Sequence, residues 1–184
     1  MYIIAEIAQA HDGSLGNAIN FIKAAKKAGA NAVKFQHHIA SEESTKKDKF
    51  RVNIFPQDNT RYEYWERIQF RDNEWAIINK TCKEECIDLI ISPFSIKSVQ
   101  KCLELDVRAF KIGSGEVNNY ELLEACLRTG KMMIISSGMS TWNDIQKSFD
   151  FCKQFHDEIT ILQCTSKYPC PLSEIGLNNI SRIR

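Results

Sequence analysis

Segment 110–119 carries residue types that could bind and activate a small anionic ligand. Lys111 stands in an apolar run that breaks into Gly113-Ser114-Gly115, and Glu116 follows directly. A lysine within an apolar strand is costly to bury unless another group pairs with it. The two glycines let the backbone approach a ligand, and Ser114 supplies a hydrogen-bonding group between them. One glycine-rich turn is a weak signal, so an ordinary strand end with an exposed lysine is the alternative.

Polar and ionisable residues recur in the same way at the ends of other apolar segments: Glu6, Lys34, Gln36, Ser92, Ser136, Ser137, Gln163, Thr165 and Ser166. Polar residues are common near loops, which is a sufficient explanation for the serines and threonines. It explains Glu6, Lys34 and Lys111 poorly, because apolar residues flank each of them on both sides. Two lysines with several hydroxyls suit an anion such as a phosphate or a carboxylate. The carboxylates of Glu6 and Glu116 could orient hydroxyls or transfer protons.

Histidines and cysteines give little support for a metal site. His37 and His38 are adjacent, and neighbouring side chains on an extended chain point apart. His11 follows the first apolar segment and could reach the same pocket as the lysines. The seven cysteines include no Cys-x-x-Cys pair, so neither a disulfide framework nor a zinc ribbon is expected. Cys82 and Cys86 are four residues apart on an expected helix, but no second ligand pair accompanies them.

The elements that must position these residues alternate between short apolar strands and amphipathic helices. Such alternation predicts an α/β fold, either a doubly wound sheet or a (β/α)8 barrel. The absence of Gly-x-Gly-x-x-Gly after the first strand disfavours a dinucleotide-binding sheet. In a barrel the strand ends converge on one face, where active sites form. The expected strands are Tyr2–Ala8, Ala32–Gln36, Asp88–Ser92, Arg108–Ile112, Met132–Ser136 and Ile159–Cys164. The expected helices are Leu15–Ala28, Asn73–Cys86, Ile96–Leu105, Tyr120–Arg128, Thr141–Phe155 and Ser173–Arg184.

The polar segment from His37 to Arg71 is too long for a plain connection and rich in aromatic residues. Loops of this length are usually lids or binding loops, so the segment is expected to help select a substrate. Asp72 then predicts the N-cap of the helix that follows.

The bulk composition excludes several classes of protein. The chain is 43% hydrophobic with a formal net charge of +1, which favours neither nucleic acid nor an anionic membrane surface as a partner. No apolar run approaches the roughly 18–20 residues that span a bilayer. The N-terminus enters a strand-like run without the features of a signal peptide, so a cytoplasmic location is expected.

Seven segments together resemble the sialic acid synthases, that is, N-acetylneuraminate synthase and its legionaminate, pseudaminate and spore-coat relatives. The first segment is similar to the Glu-Ile-Gly-x-Asn-His-x-Gly opening of that family. The others follow in family order over essentially the whole chain, which makes the resemblance highly specific. The segments are Ala5–Gly13, Val33–Gln36, Arg61–Arg67, Ser92–Phe94, Lys111–Glu116, Ser136–Met139 and Gln163–Pro169.

This resemblance implies a barrel that condenses phosphoenolpyruvate with an N-acylated amino sugar such as N-acetylmannosamine. Phosphate leaves by C–O cleavage and a nine-carbon 2-keto sugar acid forms. The resemblance assigns one set of residues to phosphoenolpyruvate: Lys34, Lys111, Ser114, Ser136 and Ser166. It assigns a second set to the sugar: Glu6, Gln36, Glu116 and Tyr168. Glu6, Glu116 and Lys111 are the expected catalytic residues.

The resemblance further implies a divalent metal, manganese or magnesium, that acts as a Lewis acid on the aldehyde oxygen of the sugar. The family's metal ligands would lie beyond Arg184, as would strands seven and eight and a small antifreeze-like domain. Residues 1–184 are therefore expected to form an incomplete TIM-barrel domain, truncated after about six β/α units, of a protein that is a homodimer at full length. Ala10 departs from the family pattern, since asparagine is usual there.

Two other functions stay open at the level of sequence. A Schiff-base aldolase would use Lys111 or Lys34 as its nucleophile. A non-catalytic fragment would have open sheet edges and an uncovered core, which favour association.

Overall fold

Each short apolar segment forms a parallel strand, and helical structure follows it. The computed structural model describes residues 1–50 and 55–183, which divide into two compact units, Met1–Arg108 and Ala109–Arg184. Within each unit the strand order follows the sequence, without the reversal that marks a doubly wound sheet. The fold is the α/β alternation of the first six units of a (β/α)8 barrel, as the sequence predicts.

The first unit contains three strands that pair in parallel, with β2 between β1 and β3. These strands are β1 (Ile4–Ala8), β2 (Ala32–His37) and β3 (Asp88–Pro93). The helices of this unit are α1 (Leu15–Lys27), α2 (Ala40–Glu43), α3 (Arg61–Ile68), α4 (Asp72–Glu84) and α5 (Ile96–Cys102).

The second unit repeats the pattern, with β5 between β4 and β6. Its strands are β4 (Val107–Ile112), which contains the boundary between the units, β5 (Met132–Ser136) and β6 (Ile159–Leu162). Its helices are α6 (Tyr120–Leu127), α7 (Trp142–Cys152) and α8 (Asn179–Ile183), with 3-10 turns at Ser114–Glu116 and Leu172–Glu174.

The middle strand β2 is buried on both of its faces. Alternation along the strand puts Val33 and Phe35 on one face and Lys34 and Gln36 on the other. Val33 and Phe35 are fully buried, and the rings of Phe35 and of Trp75 on α4 meet in a T-shaped arrangement. Burying a side chain of this size contributes roughly 1.5–3 kcal/mol to folding. This packing fixes the strand so that its other face presents two polar side chains at a defined place.

Several expected helix boundaries are wrong. Asp72 is the first residue of α4 rather than its cap, because the Glu74 carboxylate accepts a hydrogen bond from the Arg71 backbone N–H at 2.8 Å. The helices α5 and α7 each end about three residues before the predicted end, at Cys102 and Cys152. Continuous helix over 173–184 is also wrong. Gly176 has a positive φ of 71°, which interrupts the helix, and Arg184 lies outside the described residues.

The segment from His37 to Arg71 is more regular than a long loop. It contains α2 and α3, although the part of this prediction that falls on residues 51–54 lies outside the described residues. Thr60 caps α3 by accepting a hydrogen bond from Glu63 N at 3.1 Å, and Tyr64 and Ile68 bury one side of the helix. No helix within residues 1–50 and 55–183 has the length and apolar character needed to cross a membrane.

Candidate active site

Glu6 and Lys34 form an ion pair across neighbouring strands of the first unit. The register of β1 and β2 places them side by side, and Lys34 Nζ donates a hydrogen bond to Glu6 Oε1 at 2.9 Å. The lysine side chain is 5% exposed, whereas that of the glutamate is 53% exposed. Burial lowers the pKa of Lys34, and the negative charge of Glu6 opposes that shift. The pair therefore keeps a cation inside the unit with its carboxylate partner open to ligand or solvent.

Gln36 lies beyond Lys34 on the same face of β2 and is held by the loop after β1. Gln9 Nε2 donates to Gln36 Oε1 at 2.5 Å. Tyr64 on α3 donates its hydroxyl proton to Gln9 Oε1 at 3.0 Å. The orientation of one amide thus depends on that of the other, and α3 contributes directly to the arrangement.

His38 is buried beside these amides between two aromatic rings. Its ring stacks on Trp65 with centroids 3.9 Å apart and on Phe94 with centroids 4.6 Å apart. Its Nδ1 is 2.7 Å from Glu43 Oε2, and its Nε2 is 3.0 Å from Gln36 Oε1. The histidine therefore joins α2, α3 and the ends of β2 and β3.

His37 and His11 have different surroundings. The ring of His37 stacks on Trp75, and its Nδ1 is 3.0 Å from the hydroxyl of Ser98. His11 packs against Phe70 with the two rings tilted by 32°, and it also contacts Phe35, so it lies on the side of β2 opposite to Lys34. Burial lowers the pKa of each of these two histidines to about 4. The structure does not place His11 with the lysine, contrary to expectation, because the hydrophobic side of β2 holds its ring.

A cluster of hydroxyls surrounds Gly138 in the second unit. A Cβ atom at Gly138 would lie 2.5 Å from Ser166 Oγ and 3.2 Å from Ser114 Oγ. Ser136, at the end of β5, is buried and its Oγ is 3.3 Å from Cys164 Sγ. Glycine at position 138 therefore allows Ser114 and Ser166 to converge, as their shared assignment to one ligand requires.

The remaining predicted site residues of this unit are Lys111, Glu116 and Tyr168. Lys111 is half-buried on β4 between the fully buried Phe110 and Ile112. Glu116 accepts a hydrogen bond from Asn119 Nδ2 at 2.8 Å, at the start of α6. Tyr168 is 95% exposed, so its assigned role toward a sugar stays a prediction.

The described residues do not offer a metal site of their own. Within residues 1–50 and 55–183, no three side chains of histidine, cysteine, aspartate or glutamate are grouped as ligands for an ion. The donor set that is present consists of a lysine, amides and hydroxyls, which suit an anion and a polyhydroxylated ligand. No chemical step can therefore be assigned to a metal held by these residues.

Comparison with known proteins identifies the family. The model of the NeuB family matches residues 21–184, which is most of the chain. The chain belongs to the NeuB family. This NeuB-family chain is 31% identical over 188 residues to N-acetylneuraminate-9-phosphate synthase of Homo sapiens, covering 98% of the chain and 51% of that protein. It is 29% identical to N,N'-diacetyllegionaminic acid synthase of Legionella pneumophila, covering 96% of the chain and 52% of that protein.

A solved structure gives the same result for the fold. The NeuB-family chain resembles the N-acetylneuraminic acid (sialic acid) synthetase of Leptospira borgpetersenii with a TM-score of 0.83 and 26% identity. The match covers 98% of the chain and 60% of that structure. The chain spans about half the length of the curated relatives it matches.

Sequence reasoning missed the residues that hold Gln36 in this NeuB-family chain. They are Gln9, His38, Glu43, Tyr64 and Trp65. Two signals were present: the aromatic segment Arg61–Arg67 is one of the family-like segments, and an acidic residue follows His38 closely. Neither signal shows that the two segments meet, because that contact depends on how the chain folds between them.

Proposed function

We propose that this NeuB-family chain forms part of a synthase that condenses phosphoenolpyruvate with an N-acylated amino sugar. The sugar would be similar to N-acetylmannosamine, and the products would be a nine-carbon 2-keto sugar acid and phosphate. The observation that carries the proposal is the buried Lys34, a cation within the middle strand β2 of the first unit, in a chain whose relatives are sialic acid-type synthases.

The residues of the chain divide between the two substrates. In the proposal, Lys34, Lys111, Ser114, Ser136 and Ser166 bind the carboxylate and phosphate of phosphoenolpyruvate by charge-assisted and hydroxyl hydrogen bonds. A second set, Glu6, Gln36, Glu116 and Tyr168, faces the sugar. A bound anion would compete with Glu6 for Lys34. The half-exposed Glu6 carboxylate would then be available to orient a sugar hydroxyl or to accept a proton.

The proposal includes features that belong to the whole protein rather than to residues 1–184. These features are a manganese or magnesium ion with ligands outside this chain, a homodimeric assembly and a cytoplasmic location. The relatives' activities belong to proteins about twice as long. We therefore expect the 184-residue chain to bind phosphoenolpyruvate but to release no phosphate from it when the sugar is added.

A Schiff-base aldolase is the second candidate, and one observation favours it. Burial lowers the pKa of Lys34, which increases the fraction of neutral, nucleophilic amine. The hydrogen bond to Glu6 acts in the opposite direction by stabilising the ammonium form. Borohydride treatment in the presence of pyruvate separates the two functions, because only the aldolase forms a covalent adduct on a lysine.

The decisive experiment replaces the buried lysine and measures phosphoenolpyruvate binding by calorimetry. A hydrogen bond to a charged group contributes roughly 1.5–3 kcal/mol, so Lys34→Met should weaken binding about 10- to 100-fold. Lys97→Met is the matched control, because Lys97 pairs with Glu42 at the surface. This variant should bind phosphoenolpyruvate as tightly as the unmodified chain does. Unchanged affinity in Lys34→Met, or a borohydride-trapped adduct, would refute the synthase proposal.

A further inference from the structure

Five buried or half-buried side chains form one hydrogen-bonded network around the Gln36 amide. Tyr64 donates to Gln9 Oε1, and Gln9 Nε2 donates to Gln36 Oε1. His38 Nε2 lies 3.0 Å from both Gln36 Oε1 and Gln9 Nε2. Glu43 completes the network from the other side of the imidazole ring. Neither the proposed reaction nor the sequence assigns a role to His38 or Glu43.

Glu43 determines where the imidazole carries its proton. A carboxylate only accepts hydrogen bonds, so the proton of the 2.7 Å contact must be on His38 Nδ1. The other carboxylate oxygen accepts from the backbone N–H of Ile39 at 2.6 Å, which fixes Glu43 in place. The side chains of His38 and Glu43 are 4% and 8% exposed, so water does not replace this contact readily.

Two aromatic rings prevent His38 from rotating out of the network. The Trp65 and Phe94 rings both stack on the imidazole ring, with angles of 13° and 12° between the ring planes. A ring held on its faces and at Nδ1 has one orientation for Nε2. With the proton on Nδ1, Nε2 of the neutral ring accepts from the NH2 group of Gln9, and only the doubly protonated ring donates from Nε2 to Gln36 Oε1. In both forms the Gln9 NH2 group also donates to the Gln36 oxygen, which keeps that oxygen turned into the network.

The other end of the Gln36 amide is thereby directed away from the network. Reversing the amide would place its NH2 group against the NH2 group of Gln9, whose oxygen accepts from the Tyr64 hydroxyl. Within residues 1–50 and 55–183, the hydrogen bonds of the Gln36 side chain all involve its oxygen. The NH2 group lies on the Lys34 face of β2, where the proposed substrates bind.

We propose that His38 is a positioning residue, held by Glu43 and by the two stacked rings, which makes Gln36 a hydrogen-bond donor to the sugar. The sugar group at this place must then be an acceptor, a hydroxyl or acyl carbonyl oxygen. This inference rests on the proposed function for the identity of the ligand. The arrangement of the network itself does not depend on that function.

The first experiment needs no ligand. In the ¹⁵N-labelled chain, the long-range ¹⁵N–¹H spectrum of the imidazole rings should show His38 with a proton on Nδ1. The NH2 protons of Gln36 should exchange with water faster than those of Gln9, which are engaged in the network. A bare Nδ1, or slower exchange at Gln36 than at Gln9, overturns the inference whatever the chain binds.

The second experiment tests the donor by titrating N-acetylmannosamine and related N-acyl amino sugars. Gln36→Glu keeps an oxygen facing Gln9 and His38 but replaces the NH2 group with a second acceptor. Gln36→Glu should weaken sugar binding at least about tenfold. One hydrogen bond is lost, and a carboxylate oxygen then faces the acceptor oxygen of the sugar. Unchanged or tighter sugar binding by Gln36→Glu contradicts the inference.

The third experiment tests the positioning residue itself. His38→Phe keeps the stacking between Trp65 and Phe94 and removes both ring nitrogens, so it should weaken sugar binding about tenfold without changing phosphoenolpyruvate binding. His38→Gln returns an amide group, which can both donate and accept, near the position of Nε2 and should recover part of the affinity. If His38 had only a structural role, His38→Phe would instead weaken the binding of both ligands in proportion to the stability that it loses. Thermal unfolding measures that loss of stability.

The outcomes separate the inference from the function on which it rests. If His38→Phe does not change sugar binding, the positioning role is contradicted and the synthase proposal is unaffected. An unmodified chain that binds no sugar of the panel contradicts the ligand assignment. In that case the imidazole proton and the amide exchange rates still decide whether the network orients Gln36.

Discussion

At the scale of single residues, burial dominates the ionisation of His11 and His37. Both rings pack against aromatic side chains and both residues are 2% exposed. Burial removes the hydration that a charged imidazole needs, and it lowers the pKa of each to about 4 from an ordinary value near 6.5. For His37 the neighbouring His38 and Lys101 lower the pKa further, whereas Asp72 opposes them. Both histidines are therefore neutral in the folded chain near pH 7.

This lowered pKa makes stability depend on pH in a defined direction. Below pH 6.5 the unfolded chain takes up protons that the folded chain does not, so acid favours unfolding until the pH falls below about 4. Lowering the pH from 7 to 5 should cost about 2 kcal/mol for each histidine. Urea unfolding at several pH values measures this free energy.

His37→Phe is the informative variant for this dependence. It keeps a ring against Trp75, and the Ser98 hydroxyl can still donate to the backbone oxygen of residue 37. The variant should lose about half of the change between pH 7 and 5 that the two histidines produce. A pH dependence equal to that of the unmodified chain would show that His37 is not the titrating group.

The sequence predicts the ion pair of Lys34 better than it predicts the surroundings of His38. The apolar neighbours of Lys34 indicate a buried cation that needs a partner, and Glu6 is that partner in the structure. The surroundings of His38 could not be predicted, because Glu43, Trp65 and Phe94 belong to three separate parts of the chain. A spacing rule finds ligands on one element, but it does not find a ring held between elements.

At the scale of elements, strand positions follow from the sequence and helix ends do not. The predicted β5 has the observed bounds, and the other strands differ by about two residues at most at either end. Short runs of buried residues bounded by polar ones define strands sharply. Helix ends depend on weaker features, such as the Gly176 conformation that interrupts the segment before α8. The helix α3 was missed because its buried side consists of only Tyr64 and Ile68.

The contact between the loop after β1 and α3 gives a prediction at this scale. Gly13 has φ of +76°, and a Cβ there would lie 2.7 Å from the backbone oxygen of Arg67. Arg67 also pairs with Asp12 in the same loop and with Asp58. Gly13→Ala should therefore strain the loop and push it from α3, at a cost of about 3 kcal/mol when conformational strain and overpacking combine. Thermal or urea unfolding measures the change.

Gly29→Ala separates the two contributions. Gly29 also has a positive φ, of 86°, but a Cβ there meets nothing within 4 Å. Gly29→Ala should lower the free energy of unfolding by only about 1 kcal/mol, which is the strain of alanine in a left-handed backbone conformation. Equal losses in the two variants would mean that close packing between the loop and α3 contributes nothing.

At the scale of the whole molecule, the second unit exposes large apolar side chains near its end. Tyr168, Leu172 and Leu177 are 95%, 86% and 63% exposed, and Ile180 is 43% exposed. Single exposed apolar residues are common on folded proteins, but several within one short segment favour contact with another surface. Association from open sheet edges belongs to the non-catalytic alternative left open at the level of sequence, and these side chains identify where such a contact should form.

We expect the chain to self-associate in solution through residues 172–180. Replacing Leu172 and Leu177 together by lysine places two like charges on each contacting surface, and dissociation should follow because apolar burial is lost and the charges repel. Leu103→Lys is the matched control, since Leu103 is 56% exposed but follows α5 in the first unit. Sedimentation at increasing concentrations should show association for the unmodified chain and for Leu103→Lys, and monomers for the double variant. Association that survives the double substitution would place the contact elsewhere on the molecule.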